Sequence, residues 1–171
     1  IDRLIYSAGY YYNERRQKLN KTESAKVLAI NLQAFYDVFY HVSEQLKSQN
    51  GKSQIIALAS IAGMLDFKDS SLYAKCKRAM ITTCQAYRMA LVPFDIDVIC
   101  IASGYVDTAR LRELNGGNAH NKPFVISEEQ AVFEIRHLAI LHIEIQHAEE
   151  LAVRSRIGHD GLATGVLDDG R

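Results

Sequence analysis

Three side chains of this 171-residue sequence have the types and spacing needed to move a proton at a bound oxygen: Ser60, Tyr73 and Lys77. Tyr73 and Lys77 lie four residues apart in the helical pattern SSLYAKCKRAM, so they share one face a single turn apart. A free phenol has a pKa of about 10, too high for a base at neutral pH, and a neighbouring ammonium favours the phenolate and lowers that value. The pair therefore suits general acid–base work on a hydroxyl or carbonyl oxygen. Ser60 closes a β-branched run at the carboxyl end of a strand and faces the same crevice, where its hydroxyl can bond the same oxygen and steady its developing charge. Nine tyrosines and as many lysines give by chance about half of one Tyr-x-x-x-Lys pair, so the spacing gains its meaning from the strand, loop and helix around it.

Those elements are legible in the hydrophobic pattern. Residues 4–6 are an apolar strand ending at Ser7-Ala8-Gly9, small residues that let a ligand approach the backbone. Tyr10 to Arg16 read as a polar, aromatic loop near the mouth of the site. From N-cap candidates at Thr22 to Ser24, apolar residues recur at three- and four-residue steps through Val27, Leu28, Leu32, Phe35, Val38, Phe39, Val42 and Leu46, which predicts one long amphipathic helix. Asn31 stands on its inward face. An amide buried there without partners costs about 1 to 3 kcal/mol, so it needs hydrogen bonds. The run 54–59 predicts a parallel strand covered on both faces, and Met64, Leu65, Asp66 and Phe67 are expected to line one pocket wall. Ser70 or Ser71 is expected to cap the helix that carries Tyr73 to about Leu91. Residues 96–102 form the third strand, 109–114 a short helix, and Ser127-Glu128-Glu129-Gln130 a capping box for another. Strand, helix, strand, helix, strand predicts an α/β fold with a parallel sheet, Rossmann-like and three-layered.

Composition bounds the rest. The length suits one domain, expected over residues 1–157, and the glycine-bearing stretch 158–171 is expected to be a flexible tail. Twenty basic and twenty acidic residues balance, which argues against a nucleic-acid partner. Without an apolar run long enough to span a bilayer, no membrane span is expected. Cys76, Cys84 and Cys100 read as reduced core thiols, as in a cytoplasmic protein. Residues 140–145 fit either a helix or a strand. His137, His142 and His147 recur every five residues, about 140° apart on a helix, so they do not converge on a metal.

Asn31, Ser60 and the Tyr73–Lys77 pair together resemble the tetrad of the short-chain dehydrogenase/reductase family, over about residues 4–138. Further matches are Ala8-Gly9, where the family has Asn-Ala-Gly and this chain has Ser7 for the asparagine, and Gly104, Val106 and Thr108, where Ser103 replaces the family's proline. The resemblance implies the C-terminal part of that fold, with the glycine-rich first turn absent from the sequence. It also implies NAD or NADP as cofactor, held by Ala8, Gly9, Tyr73, Lys77, Gly104, Val106 and Thr108. The implied reaction interconverts a secondary alcohol and a ketone. Tyr73 would be acid and base, Ser60 would bond the reacting oxygen, Lys77 the nicotinamide ribose, and Asn31 would shape its helix so that a water links it to the lysine. Met64, Leu65, Phe67 and Tyr105 suggest a small, apolar carbonyl or alcohol substrate. The family's helix pairing implies a homo-oligomer. The rival expectation is an inactive half-fold that serves as a structural or interaction protein.

Overall fold

The computed structural model describes residues 1–49, 51–65, 70–117 and 125–137. Three strands, β1 (Arg3–Tyr6), β2 (Ser53–Leu58) and β3 (Ile96–Ile101), form a wholly parallel sheet in the order β1-β2-β3. Consecutive strands are joined through helices, as parallel pairing requires. Side chains of one parity, Tyr6, Ile55, Ala57, Ile96 and Val98, meet Phe35, Phe39, Met80, Cys84 and Leu91 in a single core. On β1, an edge of the described sheet, Ile5 has the opposite parity and is 53% exposed.

The first crossover is one helical path in three pieces: α1 (Lys21–Leu28), a π-helical turn (Ala29–Gln33) and α2 (Ala34–Lys47). Its inward face is Val27, Asn31, Phe35, Phe39 and Leu46, all buried, whereas Leu28 and Val38 of the expected stripe are largely exposed. The helix begins earlier than Thr22: Asn20 is the cap, its Oδ1 accepting from the Glu23 amide at 2.9 Å. The second crossover is α3 (Ser71–Leu91), which carries Tyr73 and Lys77. Neither serine expected to cap it does so. Ser70 is buried with its Oγ unbonded, and the free Leu72 amide is met instead by Glu14 Oε1 at 2.9 Å, with Ser71 Oγ donating to Glu14 Oε2 at 2.8 Å.

Beyond β3, Thr108 caps α4 (Ala109–Leu114), its Oγ1 accepting from the Leu111 amide at 3.1 Å. A bridge between Val106 and Ile126 ties the segment after α4 back to the strand end. The chain divides into two compact units, Ile1–Glu128 and Glu129–Arg171. Helical turns run over 128–137, where His137 Nδ1 lies 3.0 Å from the Phe133 carbonyl. The segment 138–171, with His142, His147, the ambiguous stretch 140–145 and the expected tail, lies outside the described residues, as do Asp66 and Phe67. Among the described residues no helix is long and apolar enough to cross a membrane.

The turn after Ser60 lies against α3 at Gly63: a Cβ there would come within 2.8 Å of the Arg78 nitrogen and the Lys77 carbonyl carbon. Only glycine lets the two backbones meet. Gly63→Ala should therefore destabilise the fold by about 1 to 3 kcal/mol, read from urea unfolding, because the clash is with backbone that cannot step aside.

Candidate functional site

β2 delivers its last residues to the carboxyl edge of the sheet, where ligands bind in open α/β folds. Ser60 is extended there and starts a tight turn, Ile61–Gly63, its Oγ accepting from the Ala62 amide at 3.2 Å. A hydroxyl that accepts from its own turn keeps its proton for another partner. The Tyr73 phenol is near enough for the Ser60 side chain to draw its pKa down. Tyr11 packs edge-on against the Tyr73 ring at 5.3 Å between centroids.

Lys77 lies one turn further along α3 and is only 3% exposed. Its Nζ donates to the Leu58 carbonyl at 3.0 Å and stands 5.7 Å from the centre of the Tyr73 ring. An ammonium has three donors, and Leu58 satisfies one, which leaves two without an acceptor among the described residues. The space beside it is kept open by Gly9, where a Cβ would lie 3.5 Å from both Lys77 Nζ and Asn31 Oδ1. Asn31 itself is fully buried and well bonded. Its Nδ2 donates to the carbonyls of Tyr10 at 2.7 Å and Val27 at 2.9 Å, and its Oδ1 accepts from the Tyr10 amide at 3.1 Å.

A cavity of about 330 Å³ opens over this edge. Ser60, Tyr73, Gly104, Val106 and Thr108 line it together, while Ala8, Gly9, Asn31 and Lys77 stand outside its lining. Ser103 joins the Ser60 turn to the end of β3, its carbonyl accepting from the Ile61 amide at 3.0 Å. One expectation fails. Met64 and Leu65 are 63% and 58% exposed and do not line the cavity, because the turn ends before them and points them to solvent. The apolar wall is supplied instead by Leu111 and Leu114 of α4 with Tyr105 and Val106. Tyr11, Asn13 and Arg110 also line the cavity. For these the available signal was the two short segments that follow a strand end, at 10–16 and 105–114.

Burial sets the electrostatics of the two central groups. It pushes the Tyr73 phenol above its ordinary value, and the neighbouring Ser60 side chain offsets only part of that rise. Lys77 is not the force that governs the phenol here, contrary to the sequence expectation. Burial brings Lys77 down to about 8, with the nearby Cys100 and Cys76 thiols acting in the opposite sense. Cys84 and Cys100 act on each other, and their interaction raises the Cys84 thiol and lowers Cys100. All three cysteines are free.

Residues 1–119 match the family model described as short chain dehydrogenase. The chain is 27% identical over 176 residues to the uncharacterized oxidoreductase YxjF of Bacillus subtilis (strain 168), covering 99% of this chain and 67% of that protein. It is 24% identical over 110 residues to a 3-oxoacyl-acyl-carrier-protein reductase of Aggregatibacter actinomycetemcomitans, over 64% of this chain and 46% of that one. The chain thus spans about half the length of curated relatives such as this reductase. Among solved structures, 4-hydroxyisoleucine dehydrogenase complexed with NADH superposes with a TM-score of 0.67 at 23% identity, covering 81% of this chain and 60% of that one. NAD+-bound xylitol dehydrogenase gives a TM-score of 0.59 at 30% identity over 67% of this chain and 44% of that one. The parallel sheet with its helical crossovers is therefore a Rossmann-like fold, as the sequence pattern implied.

Lys77 makes stability depend on pH with a definite sign. Its pKa is about 8 in the fold and about 10.4 in the unfolded chain. Below pH 8 both states hold the proton and the fold bears the whole cost of the buried charge. Between the two values the unfolded chain binds more protons, so stability rises with pH. From pH 7.5 to 9.5 the protein should gain about 2 kcal/mol relative to Lys77→Met. The measurement is the change in their difference in urea-unfolding free energy, and a difference that stays constant would show that the ammonium is not desolvated.

Proposed function

Because this chain belongs to the short-chain dehydrogenase family, we propose that it carries the proton-transfer half of an NAD(P)-dependent oxidoreductase that interconverts a secondary alcohol and a ketone. The observation that carries the reading is the shared place of Tyr73 and Ser60 in the lining of one cavity, with a buried ammonium one helical turn away. In the reductive direction the Tyr73 hydroxyl gives its proton to the carbonyl oxygen, and in the oxidative direction the phenolate removes it from the alcohol. The Ser60 hydroxyl donates to the same oxygen and holds it against the phenol.

The chain's own residues fit a nicotinamide cofactor. Lys77 has two donors to spare for a pair of ribose hydroxyls, and Gly9 leaves the neighbouring backbone open. Gly104, Val106 and Thr108 would border the nicotinamide end. The Thr108 Oγ1 accepts from the helix and keeps its proton to donate. When bound, the cofactor supplies or accepts the hydride. Apolar side chains of Val106, Leu111 and Leu114 favour a small uncharged substrate. Leu28, Ile30, Tyr36 and Tyr40, all exposed along the first crossover, support a homo-oligomer packed through that helix face. Sedimentation at micromolar concentration should show a dimer or larger, and a monomer would refute that part.

The direct test is turnover of a ketone panel, including cyclohexanone and ethyl acetoacetate, by the purified protein with NADH and NADPH. Tyr73→Phe should lower kcat by at least a hundredfold and Ser60→Ala by at least tenfold, while each leaves the cofactor Kd within a few-fold. Full activity in Tyr73→Phe would sink the assignment. With a phenol held above its ordinary value, alcohol oxidation should accelerate steadily as pH rises through the alkaline range.

A further inference from the structure

We propose that Glu14 is a positioning residue for Tyr73, and that the loop bearing it is held in place by Asn31. The proposal deepens the reading given above and rests on it for its kinetic part.

The geometry runs in three steps. Asn31 grips the loop by both backbone groups of one residue, accepting from the Tyr10 amide at 3.1 Å and donating to the Tyr10 carbonyl at 2.7 Å. Four residues on, Glu14 reaches α3 and receives the Leu72 amide at 2.9 Å and the Ser71 hydroxyl at 2.8 Å. Between these anchors Tyr11 packs against the Tyr73 ring. Tyr73 directly follows the capped Leu72, so the amide that Glu14 holds and the phenol that lines the cavity with Ser60 belong to adjacent residues.

This cap is not redundant. The first-turn amides of a helix have no partner within it, and a side chain at the N-cap ordinarily meets one of them. Ser70 occupies that place, is completely buried and makes no hydrogen bond through its Oγ among the described residues. The turn therefore depends on a carboxylate from elsewhere in the sequence, whose negative charge also suits the positive end of the helix. Without it the first turn can fray, and Tyr73 is in the first turn. Reaction geometry tolerates little: displacement of a reacting group by about 1 Å can cost a hundredfold in rate.

Hydrogen exchange and kinetics on the same variants test the idea. In Glu14→Ala the Leu72 and Tyr73 amides should exchange at least tenfold faster, and kcat per cofactor-binding site should fall at least tenfold with the NADH Kd unchanged within twofold. Glu14→Gln keeps an oxygen for the Leu72 amide and should stay within threefold of the parent in both readouts. Ser71→Ala removes one of the two bonds, should fall between them, and decides the question if Glu14→Ala does not accumulate folded. Unchanged exchange at Leu72 in Glu14→Ala overturns the cap. Faster exchange with an unchanged kcat per binding site overturns the positioning role, and so does a Glu14→Gln variant as impaired as Glu14→Ala. Failure of the enzymatic reading is seen separately, as activity that survives Tyr73→Phe, or as no turnover by the parent protein; the exchange data still decide the cap.

Discussion

A charged amine held almost wholly out of water is the constraint around which this half of the molecule is arranged. Burying an ammonium is costly unless it is hydrogen-bonded, and Lys77 meets one acceptor, the carbonyl at the end of β2. That bond fixes how far α3 lies from the sheet. The close approach in turn demands glycine at position 63, where α3 passes the turn that presents Ser60. The glycine at position 63 and the closeness of the Ser60 turn to α3 thus go together.

The π-helical turn makes sense in the same frame. One extra residue in the turn disrupts regular helical bonding, and such turns gather at functional sites. Here it sets Asn31 facing the loop after β1, and both amide hydrogens are consumed, by the Tyr10 and Val27 carbonyls. A water bonded to the Asn31 side chain has to donate to Oδ1, since neither Nδ2 hydrogen is left over. Its direct work is mechanical: it holds a loop whose other end caps the helix of Tyr73.

The sequence made some of this legible and hid the rest for physical reasons. The β-branched runs before Ser60 and Ser103 announced parallel strands, and helical spacing put Tyr73 and Lys77 on one face, because both signals are local. Caps were misread because they need not be local: Glu14 lies 57 residues before Ser71, and Asn20 outcompeted the threonine and serine that follow it. The pocket wall was misplaced for a similar reason. Continuity along the chain suggested Met64 and Leu65, but the apolar lining comes from α4, brought over by the chain that leaves β3. The π turn leaves no mark in an apolar repeat that simply continues through it.

The protonation states of the two central groups run against the simplest account of such a pair. If the cation dominated, the phenol would sit below its ordinary value; instead burial raises the phenol and lowers the amine, so each is driven toward its neutral form. Both shifts have one cause, the shortage of water in a cleft between a sheet edge and a helix. A phenol that keeps its proton at neutral pH is already the acid that carbonyl reduction requires, whereas oxidation must first wait for that proton to leave. This sets the pH dependence of each direction and not the direction itself, since the balance between alcohol and ketone belongs to the reactants. Groups that bind beside Lys77 and accept its spare hydrogens would favour its charged form. Ligand binding and the charge of this ammonium are therefore linked, and the link is strongest where water is scarcest.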